Sequence, residues 1–269
     1  MDTNEKRAEV FQWIRENKAH LEKFFPQTEI TETLFIGASI AKSVALELNC
    51  KNYSLKRVET GTIDKAVVDL AQHTKNMRNV VIFVNGNSLY PSQPYKYRKH
   101  KHQHFTKHPK TIKNTRLYVH LYKRLAQALD PKLNITIVCG FVRLWKPLCD
   151  CKENVHFNIS RQVKMYNYLE TQLAVIFPNA MILRHRKFIR DMHTVFFKKQ
   201  CKPTMDVCVR VYEMLLGGRD DDLVHFAGDN LWLVGHWLRY YLTNRSMDPT
   251  THDGGIGYQR GISSIHGSA

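Results

Sequence analysis

The sequence has no apolar run that could cross a membrane. Its longest apolar stretches, residues 80–84 and 135–142, are much shorter than the roughly 20 residues of a transmembrane helix. Residues 1–6 are polar and lead into an amphipathic segment, so a signal peptide is not predicted. Cysteines are few, six in 269 residues, which favours reduced thiols over a disulfide framework. These absences predict an intracellular protein, cytoplasmic or nuclear, without a membrane span.

Acidic residues are absent between Asp69 and Asp130, an interval that holds 12 lysines and arginines. Over the whole chain, 40 Lys and Arg stand against 24 Asp and Glu, a formal net charge of +16. This surplus favours RNA or another polyanion as a partner, because each phosphate that a cation neutralises releases a counterion. A basic surface that only keeps the protein solvated is the alternative.

Two basic segments carry most of the surplus, one near residues 96–116 and one at residues 184–202. The cations predicted to contact nucleic acid are Lys96, Arg98, Lys99, Lys101, Lys107, Lys110, Lys113, Arg184, Arg186 and Lys187. Aromatic residues interleave the cations of this first, basic arm: Tyr90, Tyr95, Tyr97 and Phe105. Such rings either stack on unpaired bases or anchor the segment to the domain.

Segments of strand and helix character alternate along the chain, of which 43% is hydrophobic, enough for a sizeable core. The predicted strands are residues 33–36, 55–58, 80–84, 135–139 and 181–183, and the predicted helices are residues 6–25, 40–48, 63–74, 116–129, 163–176 and 226–242. This alternation predicts an α/β fold, a doubly wound parallel sheet of about five strands with helices on both faces, in a single domain.

The predicted organisation has three parts. Residues 1–28 form an N-terminal helix, residues 29–245 form the main domain, and residues 246–269 form a disordered tail. A basic, His-rich insertion at about residues 91–113 interrupts the main domain.

Polar or glycine residues follow three of the predicted strands, where doubly wound sheets collect functional groups. Ser39 follows the first strand and begins a helix, whose N-terminus favours negative charge developing near the hydroxyl. Gly61 follows the second strand with a backbone N–H for a ligand, and Asn87 follows the third with an amide that can stabilise an oxyanion. The plainer alternatives are a helix N-cap for Ser39 and ordinary turns for the other two.

Asp222 and His225 stand three residues apart, just before the last predicted helix. Such spacing in a turn brings a carboxylate beside an imidazole, which fixes the imidazole tautomer and stabilises the imidazolium. The alternative is an acidic loop in which Asp220, Asp221 and Asp222 act together at the helix N-terminus.

The order of these residues resembles the SGNH (GDSL-type) hydrolase superfamily over residues 31–245. The resemblance implies that His225 deprotonates Ser39, that Asp222 orients His225, and that water resolves an acyl-enzyme. It also implies that Gly61 and Asn87 form the oxyanion hole, the former through its backbone N–H and the latter through its side chain.

The resemblance includes two departures from the superfamily pattern. Gly37-Ala38-Ser39 has Ala38 where the superfamily usually has Asp, and Asn85 and Ser88 replace the Gly and Asp beside Asn87. Neither departure removes one of the chemical groups named above.

The superfamily also has basic relatives. The Oskar C-terminal domain resembles this fold and binds RNA without hydrolytic activity, and related esterase domains occur in retrotransposon reading frames. Two hypotheses remain. The first is a serine esterase or acyl hydrolase acting on an acyl-ester substrate, with the basic segments holding it on nucleic acid. The second is a catalytically inactive module of the same fold that binds RNA.

No metal and no cofactor are predicted. His100, His102, His104 and His108 lack the spacing of a closed tetrahedral zinc site, and no cysteine lies near them in the sequence. We interpret them as part of a solvated basic arm.

Overall fold

The computed structural model describes residues 3–24, 30, 32–55, 60–84, 109–138, 140–142, 152–197, 199, 201–216, 225–226 and 228–244. Within these ranges the helices are α1 (Thr3–Phe24), α2 (Ser39–Glu47), α3 (Ile63–Thr74), α4 (Pro109–Ala128), α5 (Lys152–Ile176), α6 (His185–Phe197), α7 (Met205–Leu215) and α8 (Gly228–Thr243). The strands are β1 (Thr33–Gly37), β2 (Lys51–Ser54), β3 (Asn79–Phe83), β4 (Asn134–Val138) and β5 (Met181–Leu183).

The strands form one parallel sheet in the order β2-β1-β3-β4-β5. Ile36 of β1 pairs with Tyr53 of β2 on one side and with Ile82 of β3 on the other. The predicted α/β class, a doubly wound parallel sheet of five strands in a single domain, is confirmed.

The strand order reverses once along the chain, and this reversal positions the candidate site. The connection from β1 to β2 runs one way, and the later connections run the other way. Right-handed crossovers therefore place α2 on one face and α3, α4 and α5 on the other. The packing agrees, because α2 contacts α8, α3 contacts α4, and α4 contacts α5. Doubly wound sheets bind ligands beyond the carboxyl ends of the strands at such a reversal, here between β1 and β3.

The central and edge strands differ in burial as their sequences do. β1 is buried along its whole length, and β3 is buried from Val80 onward. A parallel strand covered by helices on both faces needs a continuous apolar run. β2 lies at the edge, and Lys51 and Ser54 at its ends are exposed. The prediction of this strand at residues 55–58 is wrong for Leu55, which lies just beyond β2; residues 56–58 lie outside the described ranges.

Several helices begin or occur where the sequence patterns did not indicate them. α4 begins at Pro109, so residues 109–113 are helical and not part of the predicted loop. Proline fits the first helical turn because it lacks only an N–H that would have no partner there. α5 begins at Lys152, earlier than predicted, and neither α6 nor α7 was predicted. α6 buries the polar residues His185, Asp191 and Thr194 among its apolar ones, which obscures its amphipathic pattern.

The N-terminal helix packs onto the domain. Ile14 of α1 is 1% exposed, and α1 contacts both α7 and α8. An ion pair between Arg15 Nε and Asp229 Oδ2, 3.4 Å apart, joins α1 to the first turn of α8. The predicted tail at residues 246–269 lies outside the described ranges. Among the helices that the structure describes, none combines the length and the apolarity that crossing a bilayer would require.

Candidate active site

The turn from β1 into α2 brings Ser39 to the carboxyl end of the sheet. A Cβ atom at Gly37 would lie 2.6 Å from Ala41 Cβ and 3.0 Å from Phe83 Cβ, so only glycine lets strand and helix approach this closely. The backbone N–H of Leu55 donates to Gly37 O over 2.6 Å, which ties the ends of β1 and β2 together. Ser39 is the first residue of α2, and its side chain is exposed.

Ser39 is not the cap of its helix. The N-cap position belongs to Ala38, which has no side-chain hydrogen bond to offer. The hydroxyl of Ser39 instead contacts the imidazole of His225, a residue distant in the sequence, with 2.9 Å between Ser39 Oγ and His225 Nε2. The interpretation of Ser39 as a simple N-cap is therefore wrong.

His225 is held through the residue that follows it. Phe226 forms an isolated antiparallel bridge with Leu216, which fixes the backbone next to the half-buried His225. The buried ring of Phe226 meets the ring of Phe141 edge-on, with 5.0 Å between centroids and 83° between planes. Edge-to-face pairs of this kind are attractive beyond their buried area. The imidazole therefore projects from an anchored backbone.

Phe141 is the centre of an aromatic cluster that includes Phe226, the residue after His225. Its ring also packs against Phe83 at the end of β3, 5.9 Å away, and against Phe188 of α6, 5.0 Å away. Tyr166 holds this segment in place, because its hydroxyl donates to Phe141 O over 3.0 Å while its ring lies directly over Gly140. A Cβ at Gly140 would sit 2.1 Å from Tyr166 Cδ1, so glycine is required there. Sequence patterns do not indicate this aromatic cluster, since its rings come from separate parts of the chain.

Gly61 lies in a short 3₁₀ turn, Thr60–Thr62, after β2 and before α3. It is exposed, and a Cβ added there would meet no atom within 4 Å in the described structure. Its φ is also outside the left-handed region that favours glycine. Neither packing nor backbone conformation therefore demands a glycine here, at the carboxyl end of the strand beside β1.

Two of the predicted site residues, Asn87 and Asp222, lie outside the described residues. The same holds for Lys96, Arg98, Lys99, Lys101 and Lys107 of the first basic segment. Lys110 and Lys113 are in α4, but their side chains are not described. In the second segment, Arg184 and Arg186 are exposed and Lys187 is half-buried. Of the predicted catalytic residues, the structure describes Ser39 and His225, and it places their side chains within hydrogen-bond distance of each other.

Two buried titratable groups meet where α5 faces the start of α6. Burial raises the pKa of Glu170 to about 7, although the backbone N–H of His185 donates to its carboxylate. Burial lowers the pKa of His185 to about 4, and its Nε2 lies 3.1 Å from the hydroxyl of Tyr212. Glu170 interrupts the buried apolar stripe of α5 formed by Tyr166, Leu169 and Leu173, a signal visible in the sequence.

No metal site is found in the described part of the chain, where no three His, Cys, Asp or Glu side chains converge. The histidines at positions 100, 102, 104 and 108 lie outside that part.

The sequence matches no protein-family model, and it matches no curated protein. The chemistry of the site must therefore be inferred from its own geometry.

Proposed function

We propose that this protein is a serine esterase or acyl hydrolase of the SGNH type, with Ser39 as nucleophile and His225 as its base. One observation carries the proposal: Ser39 Oγ and His225 Nε2 are 2.9 Å apart although 186 residues separate them in the chain. A serine within hydrogen-bond reach of an imidazole is the arrangement that activates a hydroxyl for attack. The exposure of Ser39 leaves room for a substrate to approach.

The proposed reaction has two halves. As Ser39 Oγ attacks the acyl carbonyl, His225 Nε2 takes its proton, and the resulting imidazolium then protonates the leaving alkoxide. The ester bond breaks and an acyl-serine forms. In the second half, His225 deprotonates a water molecule that attacks the acyl-serine, and the released Ser39 recovers the proton.

The remaining proposed groups stabilise the charges that develop on the imidazole and on the oxyanion during the reaction. For Nε2 to accept the serine proton, the neutral imidazole must carry its proton on Nδ1, and we assign Asp222 to accept from that N–H. The backbone N–H of Gly61 and the amide of Asn87 are assigned to the oxyanion. The N-terminus of α2, whose first turn holds no acidic residue, favours the same negative charge. No cofactor takes part in this scheme.

The rival hypothesis is a catalytically inactive module of the same fold, and ester turnover separates the two. We expect the parent protein to hydrolyse a short-chain p-nitrophenyl ester, and Ser39→Ala and His225→Gln each to reduce kcat by at least about a hundredfold. Ser54→Ala is the matched control, because Ser54 is also an exposed serine at the carboxyl end of a strand, in this case β2. Equal turnover by the parent and Ser39→Ala would remove Ser39 from the mechanism.

A further inference from the structure

The outer side of α6 is basic. Arg186, Arg190 and Phe197 are spaced so that they share one helix face, and Lys187 lies beside them. We call these four residues the basic stripe. Arg186 and Phe197 are exposed, and Lys187 and Arg190 are half-buried. The opposite side of the helix packs into the core through Phe188, Ile189, Met192 and Val195.

The negative charge of α6 is directed inward. Its only acidic residue, Asp191, is 0% exposed and accepts hydrogen bonds from Trp237 Nε1 over 2.9 Å and from the hydroxyl of Tyr241 over 2.7 Å. Asp191 therefore joins α6 to α8.

The charge continues beyond both ends of the helix. Residues 184–202 hold seven lysines and arginines against the single acid Asp191. Of these, Arg184 precedes α6, and Lys199 and Lys202 follow it, all three exposed. The surface around the stripe thus carries a dense positive charge of the kind that attracts polyanions.

The helix dipole disfavours the cations at the start of α6. Arg186 and Lys187 lie in the first turn of α6, which holds no acidic residue. The positive end of a helix dipole repels cations there. At position 187 the contact with the Tyr241 ring offsets this cost, whereas at the exposed Arg186 an external anion would offset it.

The aromatic groups of this surface add a second type of contact. The ring of Phe197 is 39% exposed, and it also packs against the ring of His193, with 4.7 Å between centroids. The ammonium of Lys187 also lies 4.9 Å from the centre of the Tyr241 ring, but that ring is buried and belongs to the packing of α6 on α8. Exposed rings among cations are the combination that binds single strands, since cations contact phosphates while bases stack on the rings.

We propose that the basic stripe of α6 binds a single-stranded nucleic acid, with its cations on the phosphates and Phe197 stacked on a base. Single strands are favoured over acidic membranes because an interfacial helix buries a broad apolar face in the lipid, whereas the outer side of α6 presents one exposed large apolar side chain, Phe197, among cations. None of the four residues of the stripe has a part in the proposed hydrolase reaction, so the role of the stripe does not depend on that activity.

The test measures binding of a fluorescein-labelled oligo-uridine by anisotropy at several salt concentrations. Arg186→Glu should weaken binding and reduce the slope of log K against log salt by about 0.7 for that contact, and by more if the new carboxylate repels a neighbouring phosphate. The same variant should not lower Tm, because a glutamate suits the first turn and can pair with Arg190 four residues on. Loss of binding in this variant cannot then be attributed to unfolding.

The matched control is Lys123→Glu. Lys123 is exposed on α4, which lies on the other face of the sheet, and its reversal changes the net charge equally. Binding by this variant should remain close to that of the parent. Equal losses in both variants would overturn the proposal in favour of a diffuse effect of net charge.

Phe197→Ala separates stacking from charge. We expect a loss of roughly tenfold in affinity with an unchanged salt slope. An oligo-thymidine measured in parallel shows whether the natural strand is RNA or DNA, and preference for either supports the stripe. Two further results would overturn the proposal: Arg186-dependent binding to phosphatidylserine vesicles as tight as to the oligonucleotides, or affinity for the oligonucleotides that none of the α6 variants changes.

Discussion

The buried pair of Glu170 and His185 predicts an unusual dependence of stability on pH. Glu170 has its pKa raised from 4.5 to about 7, so the folded state holds this proton more tightly than the unfolded chain does. Its contribution to the free energy of unfolding is therefore fully present below pH 4.5 and is lost as the pH rises to about 7. His185 has its pKa lowered from 6.5 to about 4, so its contribution is present above pH 6.5 and is lost as the pH falls to about 4.

The two contributions oppose each other over nearly the same pH range. Each displacement of the pKa corresponds to at most about 3 kcal/mol, because a tenfold change in proton affinity is worth about 1.4 kcal/mol. In the parent protein the falling contribution of Glu170 and the rising contribution of His185 largely cancel between pH 4.5 and 6.5. Removing the titratable group at either position should make the pH dependence caused by the other group measurable.

The assay is urea unfolding between pH 4 and 7.5, with each variant compared with the parent at the same pH. Relative to the parent, Glu170→Gln should gain stability as the pH rises, by up to about 3 kcal/mol, since it no longer loses a proton. His185→Gln should lose stability relative to the parent as the pH rises, by a similar amount. The glutamine amide at position 185 can still reach the Tyr212 hydroxyl that the imidazole contacts in the parent.

The control is Glu9→Gln, at an exposed position of α1, which should follow the parent at every pH. If the Glu170 and His185 variants also ran parallel to the parent, burial would not perturb these groups and the reasoning would be refuted.

Three further substitutions test the turns around the site. Gly37→Ala should lower the free energy of unfolding by roughly 1–3 kcal/mol in urea, because the new Cβ would lie 2.6 Å from Ala41 Cβ; an unchanged midpoint would contradict the close packing. Ala38→Ser supplies the missing N-cap and should stabilise the protein by about 1 kcal/mol, whereas no gain would show that the helix end is already satisfied. Gly61→Ala should leave stability equal or higher by up to about 1 kcal/mol and yet reduce ester turnover, since the new Cβ would crowd the oxyanion that the Gly61 N–H is proposed to bind; lost stability would place the residue in the packing instead.

The sequence predicts those parts of the fold that have a characteristic residue pattern along the chain. β1, β3, β4 and β5 are apolar runs, because parallel strands covered on both faces need them. β2 was misplaced because Lys51, Asn52 and Ser54 form a polar edge strand with no such run. The apolar pattern does not indicate α6, because its buried side includes Asp191, which accepts hydrogen bonds from Trp237 and Tyr241.

The candidate site was predictable to a similar extent. Ser39 and His225 were identified from their order and their placement after a strand and before a helix. The hydrogen bond between them could not be derived, because it depends on the whole sheet bringing distant loops together. The ring contacts of Phe141 and Phe226 that support His225 likewise come from tertiary packing and leave no local pattern.

The proposed mechanism requires a reactive Ser39 hydroxyl, and labelling with a fluorophosphonate measures that reactivity directly. The reagent forms an Oγ–P bond with an activated serine and releases fluoride, and peptide mass spectrometry identifies the residue that carries the adduct. We predict an adduct on Ser39 in the parent and in Ser54→Ala, and none in Ser39→Ala or His225→Gln. An unlabelled Ser39 in the folded parent protein, or equal labelling with and without His225, would contradict the proposed active site.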